Sequence, residues 1–334
     1  MLSKKYERPS GSKMFNTIRR CLFGLLLALE AALGTGAQAA CIAAPEPLQL
    51  SPEQARAAMA QARDHGFLWR ISKGAHSSYL YGTIHVAKKD WMFPGPQLMQ
   101  ALLASDTVAL ELDLLDGDIR ARLASGMAAV HGAALPEPLV RRMQAQAELL
   151  CVPYATLAPA LPEVQIAILT LMAARQDGLE ASYAMDVVLA GMGRGLKKEV
   201  VSLETPELQL QTLQMHDAQE TIAYVEESLD ELQSERSRLF LTRLTQVWAS
   251  ADHEQMAHFH DWCECMDSRI EREFMKRTVD DRNPAMAQRI DALHRGARKV
   301  FAAVGSLHMV GPQGLPALME NLGYQVERIP FRSP

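Results

Sequence analysis

The alternation of apolar and polar residues divides the chain into strand-like runs near its two ends and long helix-like stretches between them. Residues 51–63 open with Ser-Pro-Glu-Gln, so Ser51 caps a helix that carries Pro52 in its first turn. Two β-like runs, Phe67–Ser72 and Ser77–Tyr81, flank Lys73-Gly-Ala-His76 and predict a hairpin. A helix over Gly95–Ala104 leads into Thr107–Leu112, a nearly continuous apolar run of the kind buried on both faces of a sheet.

Further helices are expected over residues 138–150, 162–175 and 183–192, with Pro153, Pro159 and Pro162 punctuating the link between the first two. Gly191-Met-Gly-Arg-Gly195 lies after a helix and before a strand, the wrong order for a dinucleotide loop, and reads as a helix stop and turn. The strand Glu199–Leu203 follows. Residues 206–295 then have helical periodicity almost throughout; Ile222, Val225, Leu229 and Leu232 recur at three and four and define one apolar face. The strand Lys299–Val304, a helix over 312–322 and the strand Tyr324–Ile329 complete the chain. This order predicts an α/β fold: one domain over residues 40–334, with a central mixed sheet built from both ends of the chain, flanking helices, and a helical insertion over roughly 206–295.

Composition changes this picture in two places. The 334 residues are 48% hydrophobic and 22% charged, an ordinary globular balance that excludes a disordered or collagen-like chain. Aromatics make up only 6% while Met reaches 17 residues, so Leu, Ala, Val and Met must fill the core. The first 39 residues differ in character. Lys4, Lys5, Arg8, Lys13, Arg19 and Arg20 precede the apolar run Cys21–Leu33, and Ala37-Gln-Ala39 supplies a small-x-small cleavage pattern. That layout predicts a secretory signal peptide over residues 1–39, starting at Met1 or Met14, and an exported protein, periplasmic or secreted. The apolar run is too short to span a bilayer, and no later stretch suits stable membrane insertion. Gln38, three residues before Cys41, disfavours a lipid-anchored start.

Removing the leader takes away six basic and two acidic residues and moves the net charge from -5 to -9. So acidic a surface excludes nucleic acid as the main partner. Cys41, Cys151, Cys263 and Cys265 remain, and an oxidising compartment predicts one or two structural disulfides; Cys263-Glu-Cys265 has a metal or redox pair as its alternative.

The chemistry concentrates in a repeated motif. Tyr79-Leu-Tyr-Gly82-Thr-Ile-His85-Val86 and Ala302-Ala-Val-Gly305-Ser-Leu-His308-Met309 share an apolar strand, Gly, a hydroxyl residue, a branched aliphatic and His. A Gly at a strand end permits a sharp turn or a close approach, which puts each His at the carboxyl edge of a sheet, where open α/β folds collect ligands. Two imidazoles seldom complete a metal site without a carboxylate. Glu111 ends the apolar strand Thr107–Leu112, with Asp113 two residues on and expected on the same side.

These segments, Leu80-Tyr-Gly-Thr-Ile-His85, Ala109-Leu-Glu-Leu-Asp113 and Val304-Gly-Ser-Leu-His308-Met-Val-Gly311, resemble the TraB/GumN family, which includes the TIKI metalloproteases. Asp186 stands where the family carries an acidic helix residue. Leu203-Glu-Thr205 with Gln209, and Arg282-Asn283 with Met286 and Ile290, resemble two further family segments. The likeness spans roughly residues 65–330. It implies a divalent-metal hydrolase, in the TIKI branch a peptidase, with His85, Glu111 and His308 as metal ligands and essential residues.

On that reading one divalent ion (Zn, Mn or Co) acidifies water for attack on a peptide or small-molecule carbonyl. Thr83 and Ser306 are expected to orient the imidazoles through their hydroxyls. Arg282 and Asn283 either stabilise an oxyanion or cap the helix that begins near Pro284. Glu204 reads as a strand-end salt bridge rather than a general base. His253, His258, His260 and Glu264 read as a solvated helix rather than a second metal site. The main rival function is a non-catalytic envelope protein that uses the same His and Glu side chains to hold a metal or ligand. A third reading is a metal-free hydrolase with His as general base.

Overall fold

Backbone hydrogen bonding gathers the strand-like runs into one six-stranded mixed sheet, in the order β4 (Glu199–Ser202), β3 (Thr107–Leu110), β5 (Val300–Gly305), β2 (His76–Thr83), β1 (Phe67–Lys73) and β6 (Gln325–Ile329). The computed structural model describes residues 50–128 and 132–331; the expected leader and Cys41 lie outside them. β1 and β2 form the predicted hairpin, in which Lys73 pairs with His76. Gly74 takes a positive φ of 68° at the turn between them, a conformation that favours Gly.

β2, β5, β3 and β4 run parallel, while β1 is antiparallel to both β2 and β6. Every residue of β3 and β5 is buried, as expected of strands with helices on both faces. β6 is an edge strand whose Gln325, Glu327 and Arg328 are exposed, and charge there discourages pairing with another chain.

Two details depart from the sequence expectation. β3 stops at Leu110, short of the expected Leu112, although Glu111 O still accepts from the Glu204 N–H at 3.1 Å. Gly191 and Gly193 lie inside the helix Met185–Gly195, which runs past its expected end near residue 192, stops at Gly195 and is followed by a turn at Leu196 and Lys197. The reason is packing. A Cβ at Gly193 would sit 3.0 Å from Val200 Cγ2 and 3.1 Å from Val108 Cγ2, so the missing side chain lets this helix lie close over β3 and β4.

Between β4 and β5 the chain is helical, as its periodicity requires. Val225, Leu229 and Leu232 of helix Ala218–Gln233 pack with Leu139, Met143 and Leu169, and Ile222 lies at the margin of this second apolar cluster. The largest cluster surrounds the sheet, where Trp248 is fully buried and donates its indole N–H to Gly82 O at 2.8 Å. Among the described residues no helix is long and apolar enough to cross a membrane.

Replacing Gly193 with Leu should destabilise the protein by about 1–3 kcal/mol, because overpacking at this helix–sheet contact forces the elements apart. Urea unfolding of the variant beside the parent chain measures it.

Candidate functional site

The four parallel strands deliver their carboxyl ends to one edge of the sheet. In register Thr83 pairs with Gly305, and Leu110 with Ala303. His85, Glu111, Glu204 and His308 follow β2, β3, β4 and β5 directly and therefore leave from the same edge. Gly82 and Gly305 make the approach possible. A Cβ on Gly82 would meet Ser306 Oγ at 2.9 Å. A Cβ on Gly305 would lie 3.2 Å from His85 Nε2, 3.3 Å from Glu111 Oε1 and 3.6 Å from His308 Cδ2. The bare backbone of Gly305 is thus a shared floor for all three side chains.

Each imidazole is held from behind. Asp186, on the first turn of helix Met185–Gly195, accepts from His85 Nδ1 at 2.8 Å through one oxygen and from Thr83 Oγ1 at 2.8 Å through the other. His308 Nδ1 donates to Asn283 Oδ1 at 2.6 Å, and Asn283 Nδ2 donates to Gln313 O at 2.8 Å. With both Nδ1 atoms so occupied, both Nε2 atoms face the centre. His85 Nε2 is 3.9 Å from Glu111 Oε1, which also accepts from the Gly305 N–H at 2.8 Å.

Arg282 joins the pieces. Its Nη2 bonds both Glu111 Oε2 and Glu204 Oε2, Nε donates to Glu204 Oε1 at 2.9 Å, and Nη1 reaches Thr278 O at 2.9 Å and His308 Nε2 at 3.3 Å. Gln209 Nε2 bridges the same two carboxylates, at 3.2 Å from Glu111 and 3.1 Å from Glu204. Both carboxylate side chains are buried, 9% exposed for Glu111 and 1% for Glu204, whereas that of His85 is 59% exposed and open to a ligand. Removing one partner from such a buried charge network costs about 3–5 kcal/mol, so Arg282 contributes strongly to holding Glu111 and Glu204 in place.

These neighbours set opposite states for the two imidazoles. Crowding by protein works against charge on His85, but the Asp186 carboxylate and its hydrogen bond, with Glu111 behind, raise its pKa to about 9. Burial pushes His308 down to about 4; Glu111 opposes this shift, and the charges of Arg282 and His85 add to it. Burial also works against charge on Glu111, yet His308, Arg282, His85 and the Gly305 N–H hold it well below the usual carboxylate range.

The structure thus brings together His85, Glu111, His308, Arg282 and Asn283, and corrects several supporting roles. Asn283 does not cap the following helix: it is the first residue of helix Asn283–Arg295, and its side chain fixes His308. Thr83 orients His85 only through Asp186, and Ser306 touches neither imidazole, bonding Thr83 O at 2.8 Å to tie β2 to β5. Asp113 does not share Glu111's side; it pairs with Arg194. Glu204 forms the strand-end salt bridge. His253 packs against the rings of Phe67 and Trp69, and His258 faces Asp261. Cys263 pairs with Cys265, and Cys151 is itself disulfide-bonded.

A cavity of about 540 Å³ opens over this edge, with His85, Glu111, Asp186 and Arg282 at its polar end. Leu112, Leu114, Leu171, Leu213 and Phe274 contribute an apolar wall. Sequence reasoning did not reach this wall, nor Asp186 as the partner of His85. The signal for Asp186 was a lone carboxylate in the apolar run Met185-Asp-Val-Val-Leu189.

Among the described residues no group of three or more His, Cys, Asp or Glu side chains is spaced to hold a metal ion. Arg282 itself bonds Glu111 Oε2 and His308 Nε2. In donor type, two inward Nε2 atoms and one carboxylate are the kind that a divalent cation takes, though their spacing in this arrangement does not hold one.

The sequence model of the TraB/PrgY/gumN family matches residues 67–328, most of the chain. No curated protein and no solved structure matches it.

In the metal-free protein, NMR titration should find His85 losing its proton near pH 9 and His308 near pH 4. His85 binds its proton more tightly folded than unfolded, so its contribution to stability is full below about pH 6.5 and is lost as pH rises toward 9. His308 is the reverse: its contribution is full above about pH 6.5 and is lost as pH falls toward 4. In thermal melts across pH, His85→Gln should flatten the alkaline limb of stability and His308→Gln the acidic limb.

Proposed function

We propose that this chain, a member of the TraB/PrgY/gumN family, is a hydrolase of peptides or small molecules that works at the edge of the sheet with a divalent cation. His85, Glu111 and His308 would hold the ion. The observation that carries this reading is their convergence on the bare Gly305 backbone, each within 3.6 Å of one point. When bound, such a cation acidifies water and polarises a carbonyl.

The chain's own residues do the positioning. Asp186 and Asn283 keep a hydrogen on each Nδ1, so that each Nε2 presents its lone pair inward once His85 is neutral. Arg282 sets positive charge beside the point of convergence, where an oxyanion would gain from it, and Glu204 keeps that guanidinium in place. The apolar wall of Leu112, Leu171, Leu213 and Phe274 takes hydrophobic substrate groups and excludes water from the reacting end. Export to the periplasm or beyond is supported by the leader-like first 39 residues and by the Cys263–Cys265 disulfide. An acidic mature chain disfavours nucleic acid as substrate.

One feature favours a second reading: Arg282 already engages Glu111 and His308. In that case His85, oriented by Asp186, moves the proton without a metal, as a general acid–base catalyst.

Metal analysis of purified protein, with His85→Ala and His308→Ala in parallel, tests the ligand set. Both variants should lose a stoichiometric ion; full occupancy in both would remove the assignment. Asp186→Asn should keep the ion but weaken its binding roughly 10–100-fold. Peptide-library cleavage then separates the functions. Cutting abolished by chelator and restored by Zn, Mn or Co supports the metal hydrolase, and cutting indifferent to chelator supports the metal-free one. No cutting with any cation leaves an envelope binding protein.

A further inference from the structure

A second cavity, of about 350 Å³, lies beside the first and shares Thr170, Tyr224 and Phe274 with it. The Cys263–Cys265 disulfide lines this second cavity. Its position is not that of a structural staple. A disulfide stabilises a fold mainly by closing a long loop in the unfolded chain, and this one spans a sequence separation of only 2. It also links no two elements, lying in the connection between the short turn Phe259–Asp261 and helix Arg269–Thr278. The residue between, Glu264, has a φ of 51°, in the left-handed region that Glu rarely adopts.

The two sulfurs are unequal. Cys263 is 3% exposed, whereas Cys265 is only half-buried. The backbone N–H of Cys265 donates to Cys263 Sγ at 3.2 Å, a contact that would steady negative charge on that sulfur. We propose that Cys263–Cys265 is a redox-active exchange site, at which a small thiol entering the second cavity reduces the disulfide.

The exchange runs in two displacements. A thiolate attacks Cys265 Sγ; a new S–S bond forms, the Cys263–Cys265 bond breaks, and the electron pair leaves on Cys263 Sγ, held by the Cys265 N–H. A second thiolate attacks the incoming molecule's sulfur in the mixed disulfide, releasing Cys265 as thiolate. Two small thiols are oxidised to one disulfide, the protein pair gains two electrons, and the two protons lost by the thiols end on Cys263 and Cys265. The small disulfide drives the reverse reaction. A concave site favours a small thiol over the protruding active-site sulfur of a protein partner.

The test uses the intact oxidised protein, titrated under native conditions with cysteamine and with glutathione. Thiols are trapped by alkylation and located by mass spectrometry. Cys263 and Cys265 should become labelled together while the Cys151 disulfide stays closed, and the small disulfide should re-oxidise them. A pair that opens only after denaturant unfolds the chain would overturn the proposal, as would reduction by a protein dithiol but by neither small thiol. Given the small disulfide (cystamine or oxidised glutathione), Cys263→Ser should form a mixed disulfide at Cys265 and release the other half as thiolate, and Cys265→Ser should do so at roughly a tenth of that rate or less, because its remaining sulfur is buried. The opposite order would also overturn it. The wild-type titration needs neither variant to fold.

Discussion

A single guanidinium holds the sheet edge together. Glu111 and Glu204 are carried inward by two adjacent strands, and neither can stay ionised out of water without a compensating charge. Arg282 supplies that charge from the helical region, roughly eighty residues beyond Glu204, with Gln209 cross-linking the two carboxylates from another helix. The arrangement ties the helical stretch to the sheet through electrostatics as well as through packing. It also explains why the two histidines behave differently. His308 sits on the side of the guanidinium and is kept neutral, while His85 sits on the side of Asp186 and keeps its proton.

The ordering of strands does the geometric part. β5 enters between β2 and β3, which precede it by some two hundred residues, and its Gly305 leaves an opening where another residue would fill space. The repeated Gly-x-x-His pattern thus encodes position more than chemistry. Each Gly permits close approach, and the His three residues later clears the strand end. The intervening hydroxyl residue is spent on the scaffold, either on Asp186 or on the neighbouring strand.

Most of the fold was legible because it rests on periodicity. The hairpin, the two buried strands and the apolar face of Val225, Leu229 and Leu232 all follow from local pattern. Gly193 placed the helix end too early, because a Gly inside a helix can answer to a neighbour outside it, here Val108 and Val200; the stop itself falls at Gly195. Glu111 stood out as a charge ending an apolar run, and the histidines as a duplication. Partners distant in sequence left no such trace. Nothing local links Asp186 to His85 or Asn283 to His308, and the reach of Arg282 to both carboxylates is a property of three dimensions.

The late arrival of β5 has a consequence for the life of the chain. Until residues 300–308 have been synthesised, β2 and β3 have no strand between them and the pocket lacks both its floor and one imidazole. A nascent polypeptide therefore lacks this arrangement whatever its length short of that point. The fold makes the synthesis of residues 300–308 the moment at which the sheet edge can first assemble.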